Sequence, residues 1–206
     1  METHELERRA SMCAEDYEGI IPYQEAFFIH SIIYSATRCL DSFERYEYYK
    51  NQEIPADDLI SIVQEAVGHA AALSRYFWPS RIGRKEQPNM NKMKEQRGVK
   101  LRTAFGLDKT SSLYNRDLRN TWEHFDERLD EYLIKNDSGY FFPGCTIGSH
   151  TLADDPIGHI FKLLDKENNC LVLLGEKFFF IPIKGAVSDI LYKAIQFDKN
   201  GSRLKS

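Results

Sequence analysis

Phe28, Ile32, Ala36, Cys39, Phe43 and Tyr46 recur at helical spacing, so one long helix is expected from Pro22 to about Lys50. A second stripe, Leu59, Ile62, Val63, Ala66, Ala70, Leu73 and Phe77, begins after Pro55 and stops at Pro79. Asp57 and Asp58 fall in its first turn, where carboxylates favour the helix dipole. Residues 1–21 are polar and acidic and predict a loose arm or a short first helix. Residues 80–88 read as a loop and Asn89 to Phe105 as a helix. A fourth helix is expected from Ser111 or Ser112 to Ile134, with the apolar stripe Leu118, Trp122, Phe125, Leu129 and Leu133.

Beyond Gly139 the period shortens. Ile157 to Asp165 and Cys170 to Gly175 flank Lys166-Glu-Asn-Asn169, a hairpin turn in composition. Lys177 to Lys184 predicts a third strand that Pro182 places at an edge or an end, and Ala186 to Phe197 predicts a last helix. The expected fold class is mainly α, of the α+β type. An antiparallel helical bundle over 1–136 precedes a hairpin or meander and a C-terminal helix over 137–206, the small sheet being antiparallel and packed on the bundle.

Composition fits a water-soluble chain of 206 residues with a real core, since 42% of positions are hydrophobic and 28% charged. No apolar run approaches the roughly 20 residues that span a bilayer, and the charged N-terminus lacks an apolar signal core. Cys13, Cys39, Cys145 and Cys170 form no CxxC pair, so a cytoplasmic protein with reduced thiols is expected. The net charge of -4 argues against binding nucleic acid by bulk charge. That charge is an average over unlike parts. Residues 81–102 carry eight basic and two acidic side chains, a local +6, while the remainder sums to -10.

The densest chemistry lies in Leu118-Arg-Asn-Thr-Trp-Glu-His-Phe-Asp-Glu-Arg-Leu129. On a continuous helix Arg119, Asn120, Glu123 and His124 share the arc opposite the apolar stripe, with Asn120 and His124 one turn apart. Arg matches phosphate oxygens bidentately, imidazole exchanges protons near neutral pH, and Asn offers a donor and an acceptor. RNA supplies its own nucleophile in the 2′-hydroxyl, so no metal or cofactor is called for. His124 would be base or acid, Arg119 would stabilise the pentacoordinate phosphorus, and Glu123 would either orient Arg119 or compete with phosphate for it. Lys92, Lys94 and Arg97 of the basic stretch would steer the substrate. The competing explanation of both features is plain surface charge.

Arg119-Asn-Thr-Trp-Glu-His124 resembles the R-X4-6-H signature of the HEPN superfamily, with a polar residue directly after the Arg. The resemblance covers roughly residues 22–136. It implies a bundle of four or five helices and a metal-independent endoribonuclease of the toxin or defence type. It also implies a homodimer through the helix carrying Arg119 and His124, with RNA as substrate and an antitoxin or nucleotidyltransferase as a further partner. The different-class alternative is a non-catalytic, dimeric HEPN-like module that binds nucleic acid or a protein. Two features depart from the pattern. Asp126 stands where one toxin subgroup carries a modifiable Tyr, and the sheet after residue 137 is additional.

Weaker candidates lie elsewhere. His30 and His69 read as packed or surface residues of long helices. Asp154, Asp155 and His159 offer metal-ligand atoms but sit beside Pro156 and Gly158, a turn composition. Cys145 with His150 suggests a thiol nucleophile without an orienting partner. Tyr46, Tyr48 and Tyr49 suit either base stacking or packing.

Overall fold

The computed structural model describes residues 3–79, 87–115 and 117–204, apart from the side chains of Leu118, Arg119 and Trp122. Among the described residues seven α-helices run α1 Thr3–Tyr17, α2 Glu25–Tyr49, α3 Ala56–Phe77, α4 Pro88–Phe105, α5 Asp117–Glu123, α6 Phe125–Lys135 and α7 Ile181–Lys199. Four strands lie between α6 and α7: β1 Tyr140–Ile147, β2 Gly158–Asp165, β3 Cys170–Leu173 and β4 Glu176–Phe179. The fold is mainly α with a small sheet and a final helix, as the sequence pattern predicts. Among the described residues no helix is long and apolar enough to cross a membrane.

The chain forms two compact units, and the division falls inside α2 and α3 rather than at residue 137. Unit 1 comprises residues 1–37, 70–114 and 186–206; unit 2 comprises 38–69 and 115–185. In unit 1, Ile29, Ile32, Ala36, Leu73, Leu101, Val187, Ile190 and Ala194 are buried. Phe77 meets Phe105 edge to face at 5.2 Å, and Phe105 meets Phe197 at 5.1 Å. Gly19 closes α1 at φ 83°, where an added Cβ would stand 2.3 Å from the Met93 carbonyl oxygen. No other residue fits so close an approach.

In unit 2, Phe43 stacks on Phe180 at 5.9 Å and Tyr46 meets the same ring edge-on at 5.4 Å. The sheet order is β1-β2-β3-β4. β2, β3 and β4 pair antiparallel, as expected, with Asp165 opposite Cys170 and Leu173 opposite Glu176. β1 departs from that expectation. It pairs parallel to β2, its register shifting between Phe142 and Cys145, so the sheet is mixed. β3 is buried throughout, whereas residues 140–144 of β1 are exposed.

Three further boundaries differ from the sequence reading. Residues 3–17 form a full helix, α1, packed with α4. The third strand ends at Phe179, because Pro182 belongs to the first turn of α7 instead of a strand end. The single fourth helix is two helices that part at His124, whose φ and ψ are -112° and 36°. Its stripe is correspondingly less buried: Phe125 and Leu129 are half-buried and Leu133 is exposed.

Candidate functional site

An open cavity of about 610 Å³ in unit 2 is lined by residues of α5, α6 and the β3–β4 turn, among them Asn120, Thr121, His124, Arg128, Tyr132 and Glu176. Asn120 and His124, expected together, share this cavity. The i→i−4 bond from His124 N–H to the Asn120 carbonyl survives at 3.0 Å, as does that from Arg128 N–H to the His124 carbonyl. The single rigid rod of the sequence reading is nevertheless replaced by two short helices hinged at the histidine.

No Pro or Gly marks that break. A carboxylate does. Glu176 Oε2 accepts from Thr121 Oγ1 at 3.4 Å and from Arg128 Nη1 at 3.0 Å, so β4 holds the last turn of α5 and the first turn of α6 on either side of His124. Leu174 and Gly175, at φ 51° and 78°, form the tight β3–β4 turn that delivers Glu176 there. Thr121 is fully buried, while the Glu176 side chain is 56% exposed.

The cavity's other ionic groups pair along α6. His124 Nδ1 lies 3.5 Å from Glu127, and Lys135 lies 3.7 Å from Glu131. At the floor, Tyr132 Oη stands 3.4 Å from His159 Nδ1, and His159 Nε2 lies 2.7 Å from the Ser138 carbonyl. A carbonyl only accepts, so Nε2 donates to it, which leaves Nδ1 as the ring atom facing the Tyr132 hydroxyl. Burial pushes the Tyr132 phenol above its ordinary range, which keeps it a donor.

The remaining expected site residues distribute differently. Arg119 sits in α5 by its backbone, but its side chain lies outside the described residues. Glu123 is exposed at the end of the same helix. Lys92, Lys94 and Arg97 belong to α4 in unit 1. Lys92 pairs with Glu15 at 3.2 Å. The Arg97 guanidinium lies over the Phe28 ring at 5.4 Å, and burial lowers its pKa. Lys100 of the same stretch pairs with the buried Glu25 at 2.9 Å, and Arg102 donates to the Phe77 carbonyl. Lys92, Arg97, Lys100 and Arg102 thus join elements within unit 1. Arg81, Arg84 and Lys85 lie outside the described residues.

The weaker candidates are committed elsewhere. Asp154 pairs with Lys177 at 2.6 Å, and Asp155 accepts from the Ile157 N–H at 3.0 Å within a turn. His30 faces Asp198 at 3.2 Å, and His69 lies 3.9 Å from Glu65. Tyr46 is core, whereas Tyr48 is exposed and packs on Tyr49. Burial, and then the neighbouring Asp57, raise the Cys145 thiol, the reverse of an activated nucleophile.

Sequence reasoning missed the partner of His150. Asp165 Oδ2 accepts from the His150 N–H at 2.9 Å and from its Nδ1 at 2.7 Å. Asp165 further accepts from the Glu167 and Asn168 N–H groups at 3.0 and 2.9 Å and from Asn168 Nδ2 at 3.0 Å. Burial works against its charge, but these hydrogen bonds outweigh it and hold the carboxyl well below its ordinary range. Asp at the head of a turn signals the backbone contacts. Nothing in the sequence signals the histidine.

Comparison with protein-family models, curated proteins and solved structures finds no match to this chain. The chemistry of the cavity therefore stands on its own residues.

Proposed function

We propose that the unit 2 cavity is an RNA-cleaving site of the kind the Arg119–His124 spacing resembles. The observation that carries this reading is the position of His124, exposed on an open cavity that also presents Asn120, Arg128 and Tyr132. His124 removes the proton of a 2′-hydroxyl, whose oxygen attacks the adjacent phosphorus. The bond from phosphorus to the 5′-oxygen breaks, leaving a 2′,3′-cyclic phosphate. In a homodimer the second His124 returns a proton to the departing 5′-oxygen. Arg119 stabilises the pentacoordinate state, and Asn120 holds a phosphate oxygen or a ribose hydroxyl.

The test is incubation of purified protein with RNA in EDTA, beside His124→Ala and Arg119→Ala. The expected result is cleavage to 2′,3′-cyclic phosphate, reduced about 100-fold or more in each variant. Equal activity in the variants, or none in the parent, overturns the reading.

A second reading, a non-catalytic dimeric module, draws support from the apolar surface between α6 and β1. There Ile134 is 82% exposed and Tyr140, Phe141 and Phe142 are all exposed. A dimer without cleavage is the outcome that favours it.

A further inference from the structure

We propose that Glu176 is a built-in occupant of the phosphate position, and that Arg128 is the cation a phosphodiester takes over when it displaces that carboxylate. The inference rests on the reading of this cavity as an RNA site and adds to it the residue that receives the phosphate and the residue that guards it.

The geometry is that of a captured anion. One oxygen, Glu176 Oε2, collects both the Arg128 guanidinium at 3.0 Å and the Thr121 hydroxyl at 3.4 Å. A phosphate oxygen satisfies the same two donors, because guanidinium forks match carboxylate and phosphate alike. Asn120 and His124 line the same cavity, so a phosphate at this position lies among the groups the reaction uses.

The two sides of the contact differ in what it costs to move them. Thr121 is fully buried, so α5 holds its hydroxyl in place, and the Arg128 side chain, 37% exposed, is the less exposed partner of the ion pair. Glu176 is 56% exposed at the start of an edge strand, and its carboxylate reaches solvent by rotating its own side chain. An exposed ion pair of this kind contributes little to stability. It is therefore easily exchanged.

The charge of the cavity makes the guard effective. Among the described side chains, Glu127, Glu131 and Glu176 face Arg128 and Lys135 around it, one negative charge in excess when His124 is counted as neutral. Lys135 is a poorer receptor than Arg128, being 74% exposed, without a fork and 3.7 Å from Glu131. The cavity thus excludes free anions until a ligand with several phosphates and bases brings enough contacts to displace Glu176.

The test measures binding of a fluorescein-labelled 2′-O-methyl RNA octamer, which lacks the nucleophilic hydroxyl, so that binding is read apart from cleavage. At fixed salt, Glu176→Gln is expected to tighten the Kd about tenfold and Arg128→Gln to weaken it about tenfold. The gain from Glu176→Gln should vanish in the double variant Glu176→Gln/Arg128→Gln. Asp130→Asn, an exposed position of α6 outside the cavity lining, controls for loss of any one negative charge and should change the Kd less than threefold. Where Arg128→Gln alters the circular dichroism spectrum, Arg128→Lys carries the same test, since it keeps the charge and loses the fork. A gain equal to that of Asp130→Asn, or one that persists without the Arg128 guanidinium, overturns the proposal. Cleavage of ordinary RNA is scored separately. Cleavage that depends on His124, with binding indifferent to Glu176, removes only the guard. The expected binding pattern without cleavage removes only the nuclease reading.

Discussion

In unit 2 the histidine–carboxylate pairs His150–Asp165 and His124–Glu127 are built in opposite ways. His150 and Asp165 stand 2.7 Å apart, the Asp side chain only 4% exposed and accepting five hydrogen bonds. His124 and Glu127 stand 3.5 Å apart with side chains 57% and 74% exposed. The first pair matches the orientation of a catalytic dyad, yet its carboxylate is occupied in closing the β2–β3 turn. The second is loose, and its imidazole opens on a cavity with an arginine, an asparagine and a tyrosine. Chemistry on an external substrate needs groups whose partners can be exchanged. Good internal geometry at a buried pair signals architecture instead.

Asp165→Ala gives the largest effect that separates the two pairs. It leaves His150 and the turn amides without their acceptor and should cost about 3 kcal/mol of stability, read by urea denaturation. Because the folded carboxyl titrates below its ordinary range, its contribution is present above about pH 4 and is lost as pH falls through the lower folded value. The gap between parent and variant should therefore narrow below pH 4. A gap that stays constant in acid would show that charge is not its source. Next in size, Tyr132→Phe removes the hydroxyl facing His159 Nδ1 and should cost about 1 kcal/mol in the same assay. An unchanged midpoint there would place Tyr132 with the exchangeable groups of the cavity. At the small end, His124→Ala should change stability by less than about 0.5 kcal/mol while lowering the proposed RNA cleavage about 100-fold or more. A large loss of stability in that variant would make His124 a structural residue like His150.

How much of this the sequence foreshadows depends on what each feature rests on. The stripes of α2 and α3 are buried where the spacing places them, with Phe28 half-buried, because a core-facing helix repeats its apolar positions locally. The Lys166–Asn169 turn likewise falls as expected, with Asn169 at φ 50°, a conformation Asn tolerates. β1 escaped notice because its first five residues are exposed and include Pro143 and Gly144, so no alternation reports it. The basic stretch was legible as composition. In the described part of α4 it serves as cross-links within unit 1, a use that composition does not encode.

The sequence by itself determined the helices with strong periodicity, the central hairpin and the neighbourhood of Asn120 and His124, all of which depend on residues a few positions apart. Only the tertiary structure decided the break at His124 and the identity of its companions. Glu176 lies 48 residues from Arg128 and 55 from Thr121, and a single carboxylate oxygen joins them. Helical spacing carries no signal for a contact across such distances. The fold also settled which histidine faces solvent and which is locked to an aspartate, since burial is a property of everything packed around a side chain and not of the side chain's own segment.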